Sequence, residues 1–152
     1  MNKFARTSCL ASGVVILTIS GYSFAQPQQA PDADLVSLKA AAYYAIGFTG
    51  VGGMQSPGQT AMVHLHQKQN REALIREAYS DGSPAAKLYA SCWASSFNKD
   101  LFQVFNKDLL KSLGSSTVPT MTGSVMAEQK VADVLHGMSS GQCGTLMVSG
   151  VE

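Results

Sequence analysis

Charged residues are scarce in this chain, and no stretch carries a block of one sign. Lysine and arginine together number 11 and aspartate and glutamate 10, so the formal net charge of the 152 residues is +1. Binding to nucleic acid or to an anionic membrane surface needs clustered basic residues. The composition therefore indicates no nucleic-acid partner and no membrane-surface partner.

No sequence pattern for a cofactor or for catalysis stands in the structural context that it needs. The glycine-rich stretch GFTGVGGMQSPG (residues 47–58) contains no lysine, which a phosphate-binding loop needs directly after its glycines. Gly137-Met138-Ser139-Ser140-Gly141 matches the letters of GxSxG, but it follows a predicted helix, whereas the nucleophile elbow turns from a strand into a helix. His64 and His66 are two residues apart in a segment predicted to be helical, where such side chains point nearly opposite ways. We therefore expect no metal and no cofactor.

The first 25 residues have the composition of a cleavable signal peptide. Lys3 and Arg6 precede the apolar run Cys9–Ser20, which is too short to span a bilayer as a helix. Ser23 and Ala25 are small residues at the spacing that signal peptidase recognises. We expect cleavage after Ala25, export to the periplasm, and no membrane association of the mature chain.

The cysteines agree with export. Of three cysteines, Cys9 lies in the predicted signal peptide, which leaves Cys92 and Cys143 for an oxidising compartment. We expect these two to form a structural disulfide that closes a loop of about fifty residues. After the signal peptide, residues 26–33 are predicted to be a flexible leader and residues 34–152 a helical domain.

The periodicity of the apolar residues predicts an all-α domain of five or six short helices, with a C-terminal tail pinned by the disulfide. Serine followed by proline marks two helix starts, at Ser56-Pro57 and Ser83-Pro84. The predicted helices cover about 34–46, 57–79 as one helix or two broken near residues 67–70, the segment from Pro84 to about Phe97, the segment from Asn98 to Leu113, and about 126–138. Residues 115–124 are predicted to be extended.

The glycine-rich stretch carries apolar side chains in what is predicted to be a surface loop. Exposed apolar residues at loop tips often mark contact with a partner. The candidate partner-binding residues are Phe48, Val51, Met54 and Gln55. The alternative is that Phe48 and Val51 turn inward and fill the core.

A short exported helical chain with one disulfide and no catalytic set resembles the periplasmic immunity proteins of type VI secretion amidase effectors. The likeness covers the signal-like N-terminus, the size of the mature chain and the helical body with Cys92 and Cys143. Proteins of that group lie in the periplasm and plug the active cleft of a peptidoglycan-cutting toxin. The resemblance implies a protein partner, a peptidoglycan amidase, and residues 47–56 and 115–123 as the candidate plug.

Two other functions stay open from the sequence. Cys143, in the stretch GQCG, could serve as the nucleophile of a small secreted cysteine hydrolase together with His64, His66 or His136. The chain could also be an envelope accessory protein that binds a small apolar ligand among its helices. A disulfide at Cys143 would remove the nucleophile and with it the first of these functions.

Overall fold

The computed structural model of the protein describes residues 30–49 and 52–143. The predicted signal peptide, the first part of the predicted leader and residues 144–152 of the tail lie outside the described residues. From Pro31 onward the described residues belong to a single unit. No helix among them is long and apolar enough to cross a membrane.

Helices and strands are mixed along the described chain. Their order is α1 (Ala33–Lys39), β1 (Tyr44–Thr49), β2 (Met54–Gln55), α2 (Pro57–His66), α3 (Arg71–Asp81), α4 (Pro84–Phe97), α5 (Lys99–Leu113), β3 (Thr117–Gly123), β4 (Val125–Lys130) and α6 (Val131–Ser139). The strands form one four-stranded sheet in the order β2-β1-β3-β4. β1 is parallel to β3, and the other two pairings are antiparallel.

The prediction of an all-α domain is therefore wrong. The helix predicted over residues 34–46 ends at Lys39, and Tyr44–Thr49 form β1 instead. This segment contains Tyr, Ile, Phe and Thr, which fit a pleated surface, whereas the alanines before it favour a helix. Gly47 has a φ of 86°, which an L-residue rarely adopts and which no helix contains.

The helix predicted over residues 126–138 is also wrong in its first part. Val125–Lys130 pair with β3 from Thr117↔Lys130 to Thr122↔Val125, and α6 begins only at Val131. Met, Ala, Glu, Gln and Lys are good helix formers, so pairing with a distant strand has overridden local propensity. Pro119 is accommodated in β3 because its pairing with β1 begins at the next residue, Thr120.

The helix starts that depend on local caps are confirmed. The side-chain oxygens of Ser56 and Ser83 accept hydrogen bonds from the third residue of α2 and α4, Gln59 and Ala86. The break in the helical segment predicted over residues 57–79 lies between His66 and Arg71. Asp32 caps α1.

The core lies where α4 meets the other helices and one face of the sheet. Among its fully buried side chains, the largest are Tyr89, Leu38, Met62, Leu65, Ile75 and Leu88. Tyr44 from β1 packs on Tyr89 with the ring centroids 4.9 Å apart. The disulfide between Cys92 and Cys143 is confirmed, with Cα atoms 5.5 Å apart, and joins the middle of α4 to the turn after α6.

Candidate functional site

Two β-hairpins turn at the same end of the sheet. β1 leads through the first turn into β2, and β3 leads through Gly123 and Ser124 into β4. Because β1 and β3 are parallel, both turns lie at the ends of neighbouring strands. Thr49 accordingly pairs with Met54 on one side and with Gly123 on the other.

The apolar side chains at this end are exposed. Phe48, Met54, Val125 and Met126 expose 65%, 74%, 66% and 57% of their surface. Single exposed apolar residues are ordinary, but a group contributed by two adjacent turns is typical of a contact surface. We call these four residues the hairpin end.

The pairing register distributes the hairpin end over both faces of the sheet. Phe48 pairs with Gln55, and the neighbouring pair is Thr49 with Met54. Thr122 pairs with Val125. Partners in a sheet share a face and successive residues alternate between faces, so Phe48 and Met54 lie on opposite faces, as do Val125 and Met126. None of the described residues in the two turns is charged.

Two of the four residues predicted to bind a partner belong to the hairpin end. Phe48 and Met54 lie on the surface, so the alternative that Phe48 fills the core is wrong. Gln55 is half-buried, and Val51 lies outside the described residues. Sequence reasoning missed Val125 and Met126, because it assigned this stretch to a turn and to the start of a helix. The signal that could have indicated a second strand was the segment predicted to be extended, residues 115–124, which ends just before Val125.

A buried hydroxyl holds the base of the first hairpin. The Oη atom of Tyr89 lies 2.8 Å from Ala45 N, 3.0 Å from Ala45 O and 2.8 Å from Ser56 Oγ. Burial raises the pKa of Tyr89 to about 12, so the hydroxyl keeps its proton near neutral pH. Tyr89 donates that proton to Ala45 O, and Ser56 therefore donates to Tyr89 while accepting from Gln59 N. Both ends of the hairpin are thus tied to α4.

A groove of about 470 Å³ lies between the sheet and α6. Its polar lining residues are Thr120, Thr122, Gln129, Asp133 and Gln142. Hydroxyl, amide and carboxylate groups in this number suit a ligand that forms hydrogen bonds. Tyr44, Ala45, Ile46, Met121 and Val134 complete the lining, so the groove offers both polar and apolar surface.

The two neighbouring histidines point to different partners. His64 Nδ1 lies 2.9 Å from Asp34 Oδ1 on the surface, while His66 Nδ1 accepts a hydrogen bond from Trp93 Nε1 at 3.0 Å. The ring of His66 also packs on Phe97, with the centroids 4.4 Å apart. Within residues 30–49 and 52–143, no three His, Cys, Asp or Glu side chains are placed to hold a metal ion.

Acidification should release the contact between His66 and Trp93. Burial lowers the pKa of His66, and the nearby charge of Arg71 lowers it further. In the unfolded chain a histidine titrates near 6.5. Below about pH 6.5 the unfolded chain therefore binds the proton more readily than the folded chain. The free energy of unfolding falls from that pH down to the lower pKa of the folded state. Trp93 is the only tryptophan of the chain, so its fluorescence reports the change directly.

We expect the emission of Trp93 to change with a midpoint below pH 6.5 and the change to disappear in H66Q. The matched control is H136Q, which removes an exposed histidine of α6 and should leave the titration unaltered. A titration that persists in H66Q would contradict the assignment.

The cysteine alternative loses its nucleophile in this structure. Cys143 is buried and bonded to Cys92, and a thiolate is required for attack. The hydroxyl oxygen of Tyr44 lies 3.8 Å from the Sγ atom of Cys143. Burial raises the pKa of that tyrosine well above its ordinary value, so it offers no base.

No protein-family model, no curated protein sequence and no solved structure matches this chain.

Proposed function

We propose that this protein is an exported periplasmic inhibitor that binds a cell-wall-degrading effector in the manner of an immunity protein. The observation that carries the proposal is the hairpin end. Two hairpins that are distant in sequence bring four exposed apolar side chains to one end of the sheet. A stable sheet that presents an apolar end suits insertion into a concave partner surface.

Export is supported by two independent features. The N-terminal 25 residues have the pattern of a signal peptide, and the disulfide needs an oxidising compartment to form and persist. The periplasm satisfies both conditions. A cell-wall hydrolase would act in the same compartment.

The chemistry of the hairpin end indicates how the partner is bound. Since no charged residue lies in the two described turns, the hairpin end contributes to the affinity through apolar burial and not through electrostatic attraction. Each large side chain that becomes fully buried contributes about 1.5–3 kcal/mol. The contribution of the hairpin end to the affinity should therefore vary little with salt, because charge screening acts only on charged groups.

Affinity capture with matched variants tests this proposal. The exported protein would be tagged, captured from the periplasm of a strain that carries the effector, and its bound proteins identified. The wild type should retain one stoichiometric cell-wall hydrolase and should inhibit its cleavage of peptidoglycan. F48D/M54D should weaken binding by about 100-fold or more, since two desolvated anchors become charged.

V104D is the matched control for that experiment. Val104 lies on α5 and is 63% exposed, close to the 65% of Phe48, so its replacement has the same chemical character at a remote place. It should bind like the wild type. Equal capture by F48D/M54D would exclude the hairpin end as the docking surface. A folded wild type that captures no hydrolase would count against the inhibitor function itself.

A further inference from the structure

β4 is the edge of the sheet among the described residues. Its inner side pairs with β3, and no described strand pairs with its outer side. All of its residues, Val125–Lys130, are exposed. In an antiparallel pair every second residue directs both its N–H and its C=O away from the neighbouring strand. The outer side of β4 thus presents donors and acceptors that have no backbone partner within the described chain.

We propose that the outer edge of β4 binds an extended segment of the partner by antiparallel strand addition. Donors and acceptors that alternate at strand spacing are complemented by another extended polypeptide backbone. The inference rests on the proposed function in taking the ligand to be a protein, and it names the part of that protein which binds. β4 begins at the hairpin end, so a partner that covers Val125 and Met126 reaches this edge directly.

The side chains of β4 specify what the added strand should carry. Val125, Ala127 and Gln129 pair with Thr122, Thr120 and Val118 and therefore share the face of the groove. These three are uncharged. Met126, Glu128 and Lys130 lie on the other face. Directly opposed charges of unlike sign stabilise a sheet, and those of like sign destabilise it. The added strand should therefore place an acidic residue opposite Lys130 and a basic residue opposite Glu128.

The same charges disfavour a second copy of this chain as the occupant. A two-fold pairing of β4 with itself centred on Glu128 sets the two glutamates opposite each other. Centred on Gln129, it matches Glu128 with Lys130 but leaves only residues 128–130 paired before α6 begins. Centred on Ala127, it matches neither charge. A lysine on an edge strand is also a common device against self-association.

Two peptides of identical composition test the charge pattern. The matched peptide, Glu-Val-Lys-Val-Ile-Thr, places its acid opposite Lys130 and its base opposite Glu128 when it runs antiparallel to β4. The swapped peptide is Lys-Val-Glu-Val-Ile-Thr. Fluorescence polarisation with the exported protein should show the matched peptide binding about tenfold more tightly, since two favourable pairs are exchanged for two unfavourable ones. E128K/K130E should reverse the preference. Equal affinities, or a preference that the variant leaves unchanged, would overturn the proposal.

Backbone pairing is tested separately with N-methylated peptides. The matched peptide would be methylated on its odd-numbered or on its even-numbered amides. Only one of these sets faces β4, so one peptide should lose at least about tenfold in affinity and the other should keep most of it. Equal affinities of the two methylated peptides would overturn strand addition.

The outcomes separate this inference from the proposed function. F48D/M54D alters β1 and β2 and should leave peptide binding to β4 unchanged. If the peptides fail to bind while capture of a hydrolase still depends on Phe48 and Met54, strand addition is wrong and the inhibitor function stands. If the peptides bind as expected and no hydrolase is captured, strand addition stands and the inhibitor function is wrong. Peptide binding that requires removal of residues 144–152 would overturn the proposal, because the edge would then belong to the chain's own C-terminal segment.

Discussion

Replacing Cys92 and Cys143 with alanine should lower the free energy of unfolding by about 4 kcal/mol. The bond joins residues 51 apart, and the chain-entropy account assigns about this value to a loop of that length. A domain of this size is stable by about 5–15 kcal/mol in total, so the loss is a large fraction of the whole. Urea unfolding should show it as a lower midpoint, and thermal unfolding as a fall of roughly 15 °C.

Reduction of the wild type provides the control. Both sulfurs are buried, so the double alanine variant also removes a small buried volume, whereas reduction breaks the bond and keeps the atoms. Reduced wild type and C92A/C143A should therefore unfold at similar urea concentrations, the variant slightly earlier. A loss below about 1 kcal/mol in both would show that the turn after α6 is held mainly by packing and not by the bond.

The helix starts could be predicted because their causes are local. Ser56 and Ser83 each cap the helix that begins at the next residue, and the proline that follows is preset for the first turn. At each helix start, the serine, the proline and the residue whose N–H is capped lie within four consecutive residues. The disulfide could be predicted for a different reason, since the export signal left one even pair of cysteines.

The sheet could not be predicted because its causes are distant. β1 is stabilised by pairing with β3, so Tyr44 and its partner Thr120 come from far apart in the sequence. β4 consists largely of helix formers and is a strand only because β3 lies beside it. The helix formers of β4 are followed directly by the helical apolar pattern of α6, which begins at Val131. No capping side chain marks the boundary between the two elements.

Two of the four residues of the hairpin end could be predicted from the sequence. Phe48 and Met54 were recognisable because glycines on either side predicted a surface loop. Val125 and Met126 belong to the same end of the molecule only through the parallel pairing of β1 with β3, which the sequence does not show. Tyr89 was readable only as a core residue of α4, since its hydroxyl partners lie 44 and 33 residues away.

Removing that hydroxyl is the second change with a large expected effect. In Y89F the N–H and C=O of Ala45 and the hydroxyl of Ser56 lose a partner inside the core. An unsatisfied buried polar group costs about 1–3 kcal/mol, and Ser56 can turn to another acceptor, so the total loss should be about 2–4 kcal/mol. Because Ala45 and Ser56 flank the first hairpin, amide exchange of residues 46–49 should also become faster than in the wild type.

Tyr79 offers a matched control in which the lost hydroxyl bond has an exposed acceptor. Its Oη donates to Asp108 Oδ2 at 2.7 Å and also lies 3.2 Å from Phe105 O. The aspartate is exposed, so water replaces the tyrosine after Y79F, and Phe105 lies inside α5, where its carbonyl accepts along the helix. The cost there should be about 1 kcal/mol. Urea unfolding of Y79F therefore measures the loss of the hydrogen bond alone. Urea unfolding of Y89F measures that loss together with the cost of buried polar groups left without a partner. If Y89F costs no more than Y79F, the three buried groups find other partners and Tyr89 does not hold the base of the hairpin. If Y89F costs more and also weakens binding of the proposed effector while V104D does not, the hydrogen bonds of Tyr89 to Ala45 and Ser56 position Phe48 for the proposed contact.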